Sequence, residues 1–122
     1  MIEVLTGFPE NVVACRASGR VTKQDYDNVI IPSVERALSH HPKIRCYYEL
    51  GSQFQTFDGG ALWEDTKVGL EHLTRWERVA VVTDVEWLRF ATNAFRFLMP
   101  GSVRVFSLDE SDAARRWITD GL

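Results

Sequence analysis

The sequence predicts an α/β fold built on a single mixed sheet of about five strands in sequential order, with an N-terminal antiparallel hairpin followed by parallel β-α units. Strand-like and helix-like segments alternate along the chain. The apolar run at residues 79–82 is unbroken and bounded by charge, which is typical of a strand buried on both faces of a parallel sheet. A helix long enough for a parallel crossover precedes that run.

The chain begins with two apolar segments separated by turn-forming residues. Ile2, Val4 and Leu5 lead into the turn-rich residues 7–11, and a second strand-like segment follows at residues 12–19. Two strands joined by about five turn residues most simply form an antiparallel hairpin.

A first helix is predicted from about Lys23 to Ser39, capped by Thr22 with Asp25 as the acid of a capping box. Pro32 falls in its middle and removes one backbone hydrogen bond, so we expect a kink or a restart there. Residues 40–42 end the helix. Its apolar stripe consists of Tyr26, Ile30, Val34, Ala37 and Leu38.

The central unit is a strand, a loop, a helix and a second strand spanning residues 43–84. The first strand alternates in character, with Cys46, Tyr48 and Leu50 on one side and Arg45, Tyr47 and Glu49 on the other. The helix, which Asp58 is placed to cap, extends to about Trp76. The apolar stripe of this helix that is predicted to face the protein core consists of Leu62, Gly69, Leu73 and Trp76, widened by Trp63 and Leu70.

A third helix is predicted from Val85 to about Met99, capped by Asp84, and it is apolar around most of its circumference. Its polar strip is narrow, consisting of Glu86, Arg89, Asn93 and Arg96. A last strand at residues 102–108 precedes a closing helix capped by Asp109. Right-handed crossovers would place all the helices on one face of the sheet. The other face would then be covered by loops, a partner or water.

Composition excludes several classes of protein. A chain of 122 residues makes one domain, residues 1–122. With 14 Lys and Arg against 17 Asp and Glu, the net charge of -3 provides no basic surface for nucleic acid. No apolar run is long enough for a transmembrane segment, and the N-terminus lacks the pattern of a signal peptide, so a cytoplasmic location is expected.

The two cysteines, Cys15 and Cys46, lie in apolar strand-like segments. We expect them to be buried, reduced and inert, since a free thiol in such a segment behaves as a small hydrophobe. A disulfide between neighbouring strands is the less favoured alternative. No pair of cysteines or histidines has the spacing of a metal site, so neither a metal nor a cofactor is predicted.

No catalytic group is predicted. The expected site in an open α/β sheet lies beyond the carboxyl ends of the strands, but the acidic and hydroxyl residues there serve more simply as helix caps. No Ser or Cys has an evident His partner, and residues 58–60 lack the Lys and the spacing of a phosphate-binding loop. The alternative is a small enzyme that uses Asp58, Glu64 or Asp84 in acid-base chemistry.

Aromatic residues flank the same end of the sheet and have three interpretations: core packing, an apolar pocket, or a surface for self-association. As a pocket, they would form a site between a loop at residues 54–57 and the third helix. Its hypothetical ligand-binding residues are Phe54, Phe57, Trp63, Trp87 and Phe90. As an interface, Phe90 and Phe97 would lie between two copies of the chain in a homodimer.

Several short motifs resemble one known family. They are Asp25-Tyr26 with Pro32, Leu62-Trp63-Glu64-Asp65, Arg78-Val79-Ala80-Val81-Val82 and Trp87-Leu88. Together with residues 19–38, 61–90 and 103–118, they resemble the SpoIIAA-like family of STAS-related bacterial proteins over nearly the whole chain. The resemblance implies a β-α fold with sequential strand order, shared with STAS and CRAL-TRIO lipid-transfer domains, and no established enzymatic activity.

The sequence departs from anti-sigma-factor antagonists of the STAS type at one turn. Those proteins carry a phosphorylatable Ser before the central helix, whereas residues 58–61 are Asp-Gly-Gly-Ala. We therefore expect no phosphorylation switch at this turn. The sequence as a whole favours a non-enzymatic binding or regulatory module that acts through protein contacts or by holding an apolar, lipid-like small molecule.

Overall fold

The computed structural model describes residues 1–122 and contains one five-stranded sheet with the order β1-β2-β3-β4-β5. Its elements are β1 (Ile2–Val4), β2 (Val12–Val21), α1 (Lys23–Asp25), a π-helical turn (Tyr26–Ile30), α2 (Ile31–His40), β3 (Ile44–Phe57), α3 (Gly59–Glu71), β4 (Trp76–Thr83), α4 (Glu86–Phe95), a 3₁₀ turn (Arg96–Leu98), β5 (Ser102–Phe106), a second 3₁₀ turn (Leu108–Glu110) and α5 (Ser111–Thr119). β1 pairs antiparallel with β2, and all other pairs are parallel. The predicted fold class is confirmed.

The first helical segment follows its sequence signals closely. The Thr22 hydroxyl accepts a hydrogen bond from the Asp25 backbone N–H at 3.2 Å, and the Asp25 carboxylate accepts one from the Thr22 N–H at 2.8 Å. This is the predicted capping box. The π-helical turn then precedes α2, in whose first turn Pro32 lies. The helical backbone continues without a break from this turn into α2, so no separate helix starts at Pro32. The irregularity expected where proline removes a backbone hydrogen bond takes the form of the π-helical turn.

The sheet is covered on both faces, contrary to the prediction that all helices lie on one face. α1, α2, α3 and α4 pack on one side, and α5 packs on the other through Ala114 and Ile118. The crossover rule constrains only helices that connect parallel strands. Because α5 follows the last strand, it is free to cross to the second face, where Tyr47, Ala80 and Val82 provide an apolar surface.

Buried Arg45 fixes the end of α5 to this second face. Its guanidinium donates to the carbonyl oxygens of Ile118 at 3.0 Å and Asp120 at 2.6 Å, and to the Glu77 carboxylate at 2.6 Å. The last carbonyls of a helix have no partner within the helix, so this arginine satisfies groups that would otherwise need water.

The buried face of α3 differs from the predicted stripe. Ala61, Glu64 and Val68 face the core, whereas Leu62, Trp63 and Leu70 are exposed by 45%, 66% and 53%. The neighbouring helices lie close to α3: a Cβ at Gly60 would stand 3.0 Å from Lys23, and one at Gly69 would stand 3.6 Å from Phe95. Close approach favours small residues on the inner face. The larger side chains therefore point outward.

Two predicted boundaries are also wrong. α3 ends at Glu71, and Trp76 begins β4 instead of ending the helix. Residues 54–57 belong to the end of β3 and not to a loop, because β2 is long enough to pair with β3 as far as Phe57. None of the helices is both long and apolar enough to cross a membrane.

Candidate functional site

The carboxyl ends of β3 and β4 carry polar residues that bind backbone groups. The Asp58 carboxylate accepts a hydrogen bond from the Ala61 N–H at 2.8 Å, which confirms it as the cap of α3. Asp84, in contrast, accepts from the Leu108 N–H at 3.0 Å. The prediction that Asp84 caps the third helix is therefore wrong, because its carboxylate is directed to the segment that follows β5.

The closing helical segment is capped by Ser107. The prediction that Asp109 is its cap is therefore wrong. The Ser107 N–H and hydroxyl both donate to the Glu110 carboxylate at 2.8 Å, and together the two residues form a capping box. These hydrogen bonds lower the pKa of Glu110, with the backbone bond from Ser107 as the largest cause. A Ser followed three residues later by Glu is a recognised start signal, so the sequence did contain the correct cap.

Three of the five hypothetical ligand-binding residues form a continuous aromatic row. The ring centroids of Phe54 and Phe57 are 5.0 Å apart, and those of Phe57 and Trp87 are 6.3 Å apart. The row extends from the core, where Phe54 is 8% exposed, to the surface, where Trp87 is 50% exposed. Trp63 and Phe90 stand outside it at 66% and 77% exposure.

The outer face of α4 and the following 3₁₀ turn is apolar and open to solvent. Trp87, Phe90, Phe97 and Leu98 are each at least half exposed, and Phe97 reaches 81%. Leu88 is the only buried residue of α4. We call the exposed apolar side chains of α3, α4 and the 3₁₀ turn the α3–α4 face. Its members are Leu62, Trp63, Leu70, Trp87, Phe90, Phe97 and Leu98.

A polar network that the sequence did not predict lies beneath α3. The Tyr26 hydroxyl donates to the Asp65 carboxylate at 2.7 Å and lies 3.1 Å from the Tyr48 hydroxyl. Since Tyr26 has only one hydroxyl proton, Tyr48 must donate to Tyr26. The network joins the π-helical turn, β3 and α3.

The charge states of this network follow from its position. Burial raises the pKa of Tyr26, and the charge of Asp65 adds to the effect. Burial also raises the pKa of Asp65, while the hydrogen bond from Tyr26 acts in the opposite direction. Solvent reaches Asp65 from outside the helix, which limits the shift. Tyr26 is only 1% exposed, so the hydroxyl proton that it donates to Asp65 lies in the core.

Two surface grooves lie away from the aromatic row. A groove of about 600 Å³ separates the turn after β1 from α2, and one of about 370 Å³ runs along β5. No group of three or more His, Cys, Asp or Glu side chains is arranged to hold a metal ion.

Comparison with known proteins identifies the family. The sequence model of the family described as SpoIIAA-like matches residues 12–119. The chain belongs to the SpoIIAA-like family. A solved structure of an uncharacterized protein from the DUF3478 family with a SpoIIAA-like fold, from Shewanella loihica PV-4, is similar with a TM-score of 0.77 and 26% identity, covering 96% of this chain and 93% of that one. No curated protein sequence matches the chain.

In this SpoIIAA-like protein both cysteines are free; Cys15 is buried as predicted, whereas Cys46 is only partly buried. Both lie on one face of the sheet. Cys46 pairs with Val13 in the strand register, whereas Cys15 pairs with Tyr48, so the two thiols are diagonal neighbours. Diagonal positions on adjacent strands are about 7–8 Å apart, beyond the usual span of a disulfide at about 4.4–6.8 Å. The geometry therefore disfavours the disulfide.

We expect neither cysteine of the folded SpoIIAA-like protein to react with a thiol reagent at pH 8. Burial raises the pKa of Cys15 from 9.0 to about 11 and also raises the pKa of Cys46. A rise of two pKa units lowers the thiolate fraction, and hence reactivity, by about 100-fold. Absorbance after addition of Ellman's reagent should show no rapid reaction until guanidinium is added. Rapid modification of either thiol in the folded protein would contradict the prediction.

Proposed function

We propose that this SpoIIAA-like protein is a non-enzymatic binding module that acts through protein contacts, and that a second copy of the chain occupies its α3–α4 face. The observation that carries the proposal is the exposure of Phe90 and Phe97, at 77% and 81%. Large exposed apolar patches on a folded protein mark interaction surfaces.

The area of the α3–α4 face is close to what a stable dimer needs. An aromatic side chain carries roughly 150–250 Å². Trp63, Trp87, Phe90 and Phe97 are exposed by 66%, 50%, 77% and 81%, so they present on the order of 400–700 Å² together. A standard interface buries about 800 Å² per partner. The exposed leucines of the same face bring the available area near that value.

An intramolecular cover for the α3–α4 face has less support. Such a cover would come from residues 54–57, but these form the end of β3. Phe54 packs into the core, and Phe57 contacts Trp87 at the edge of the face. Phe90 and Phe97 therefore remain open to a partner, and a twofold axis would place the same patch of each copy in contact.

The enzymatic alternative has less support as well. Asp58 and Asp84 both accept backbone hydrogen bonds, a role that needs no chemistry. Glu64 is 5% exposed on the inner side of α3. Catalytic carboxylates usually converge in a cleft with perturbed pKa values. Asp58 and Asp84 are instead engaged at two different segments, the start of α3 and the segment after β5.

Binding of an apolar small molecule is a second candidate function, favoured by the aromatic row of Phe54, Phe57 and Trp87. A mostly apolar site with a few polar groups at its rim is the usual form of a ligand pocket. In this alternative Trp63 and Phe90 would close over the molecule. The ligand would be held between the row and the outer face of α4.

Native mass spectrometry of freshly purified protein separates the two functions. We expect a species at twice the chain mass of 14.0 kDa without additional bound mass, because contact between two apolar faces needs no ligand. A species at the single chain mass carrying a small apolar molecule would instead support the ligand-binding function. A single chain without added mass at high micromolar concentration would contradict the dimer.

A further inference from the structure

The outer edge of β5 carries the open groove of about 370 Å³. β5 is the last strand of the sheet and pairs only with β4. One wall comes from Arg96 and Phe97 on the face covered by α4, the floor comes from residues 101–104, and the opposite wall comes from Trp117 of α5. The groove is therefore the sheet edge itself, where a strand has unpaired N–H and C=O groups.

Two arginines line this groove without a carboxylate partner. The Arg104 guanidinium lies 5.0 Å from the ring centroid of Phe106 and 5.3 Å from that of Trp117, and Arg96 lies 5.4 Å from that of Phe97. Neither arginine takes part in an ion pair of the chain. Stacking on aromatic rings leaves the edge N–H groups of a guanidinium free for an anion.

We propose that the β5 edge binds an extended acidic segment of a partner protein by strand addition. Main-chain hydrogen bonds to the free edge provide affinity, and alternate side chains reach opposite faces of the sheet. Arg96 and Arg104 lie on opposite faces. The segment therefore needs acidic residues at adjacent positions, one for each arginine.

A second copy of β5 is a poorer occupant of this edge. Antiparallel pairing of Ser102–Phe106 with itself, in the register that joins all its residues, places Arg104 opposite Arg104 of the other copy. Like charges directly opposite each other destabilise a strand pair. The charge of the edge thus favours an acidic partner. Phe97 belongs both to the α3–α4 face and to one wall of the groove, so the two proposed surfaces meet at this residue. The unpaired edge of β5 and the two arginines, which carry the present proposal, lie outside the α3–α4 face.

The test is a fluorescence anisotropy titration of the full protein with a labelled peptide, Val-Glu-Glu-Val-Glu-Glu-Val. Adjacent glutamates place carboxylates on both faces of an added strand. We expect saturable binding that weakens with added salt, and new protection from hydrogen exchange at the β5 amides that point away from β4. Substituting Arg96→Glu and Arg104→Glu together should weaken binding by about tenfold or more, because attraction becomes repulsion.

Three controls separate strand addition from general charge attraction. Arg20→Glu changes the charge at an exposed arginine outside the groove and should alter the affinity by less than about twofold. A peptide N-methylated at alternate residues keeps its charge but cannot form the strand ladder, so it should bind at least about tenfold more weakly. Phe90→Ser changes the α3–α4 face alone and should leave peptide binding unchanged.

Several results would overturn the proposal. One is that the Arg96→Glu, Arg104→Glu double variant binds the peptide as tightly as the wild type. Another is that the N-methylated peptide, or a peptide with Lys in place of Glu, binds the wild type as tightly as the original peptide. Absence of binding at millimolar peptide would do the same. Protection, without any peptide, of the β5 amides that point away from β4 would show that a second copy occupies the edge. Circular dichroism of each variant verifies that loss of binding is not loss of folding.

Discussion

Replacing Phe90 and Phe97 together by Ser is expected to separate the homodimer proposed for the α3–α4 face into folded monomers. Burying one Phe side chain is worth about 1.5–3 kcal/mol, and a twofold interface contains each change twice. The double substitution therefore removes about 6 kcal/mol or more if all four rings are buried, which raises the dissociation constant by on the order of 10⁴. Sedimentation velocity over a range of protein concentrations measures this change directly.

The subunit itself should tolerate the change. Phe90 and Phe97 are exposed in the single chain, and exposed substitutions usually shift stability by less than about 0.5 kcal/mol. A matched control replaces Val4 and Leu122 by Ser, since both are 55% exposed and lie outside the α3–α4 face. This control should remain dimeric. Persistence of the dimer in the Phe90→Ser, Phe97→Ser variant would place the interface elsewhere.

The elements that the sequence predicted correctly depend on local signals. The alternation in β3 predicts that Tyr47 faces away from Cys46 and Tyr48. In the structure Tyr47 lies on the face covered by α5, and Cys46 and Tyr48 lie on the opposite face. The capping box of Thr22 and Asp25 involves only neighbouring residues. Such signals act within a few residues of the chain, so they can be recognised without knowledge of the fold.

The inner face of α3 could not be predicted in this way, because the helix has apolar residues on opposite sides. Ala61 and Val68 face the core while Leu62, Trp63 and Leu70 do not. Hydrophobicity alone favours the larger side chains as the buried set. The outcome depends on how closely the neighbouring elements approach, which is a property of the assembled fold.

The network of Tyr26, Tyr48 and Asp65 was missed for a related reason. Its members are separated by 22 and 39 positions in the chain. One signal was nevertheless present: Asp65 lies seven residues after the cap Asp58, which returns it to nearly the same side of the helix. That spacing places Asp58 and Asp65 on one side of α3, but which element this side faces is decided only in the assembled fold.

The α3–α4 face illustrates what sequence can and cannot establish about function. The nearly all-round apolar character of α4 predicted an uncovered surface, and the exposure of Phe90 and Phe97 agrees with it. The sequential strand order predicted that the last strand ends the sheet, but the groove along β5 was not predicted, because its walls depend on where α5 and the 3₁₀ turn after α4 pack. These packing positions are long-range properties that no single segment encodes.

Gly101→Ala is expected to destabilise the protein by about 3 kcal/mol or more, at the upper end of overpacking effects. A Cβ at Gly101 would stand 2.2 Å from the Trp76 carbonyl oxygen and 2.8 Å from that of Glu77. These are backbone atoms at the start of β4, so no side-chain rotation relieves the clash. The chain must instead shift where it enters β5. Urea unfolding at a fixed protein concentration measures the change in the free energy of unfolding.

Gly51→Ala is the matched control for Gly101→Ala, because a Cβ at Gly51 meets no atom within 4 Å. Neither glycine has a positive φ, so the two substitutions differ in packing and not in backbone strain. Ala at an unstrained position reduces the entropy of the unfolded chain, and Gly51→Ala should therefore change stability by less than about 1 kcal/mol. Equal stability of the two variants would show that β5 can move away from β4 at little cost. The β5 edge would then be too mobile to form the fixed groove proposed for an acidic segment.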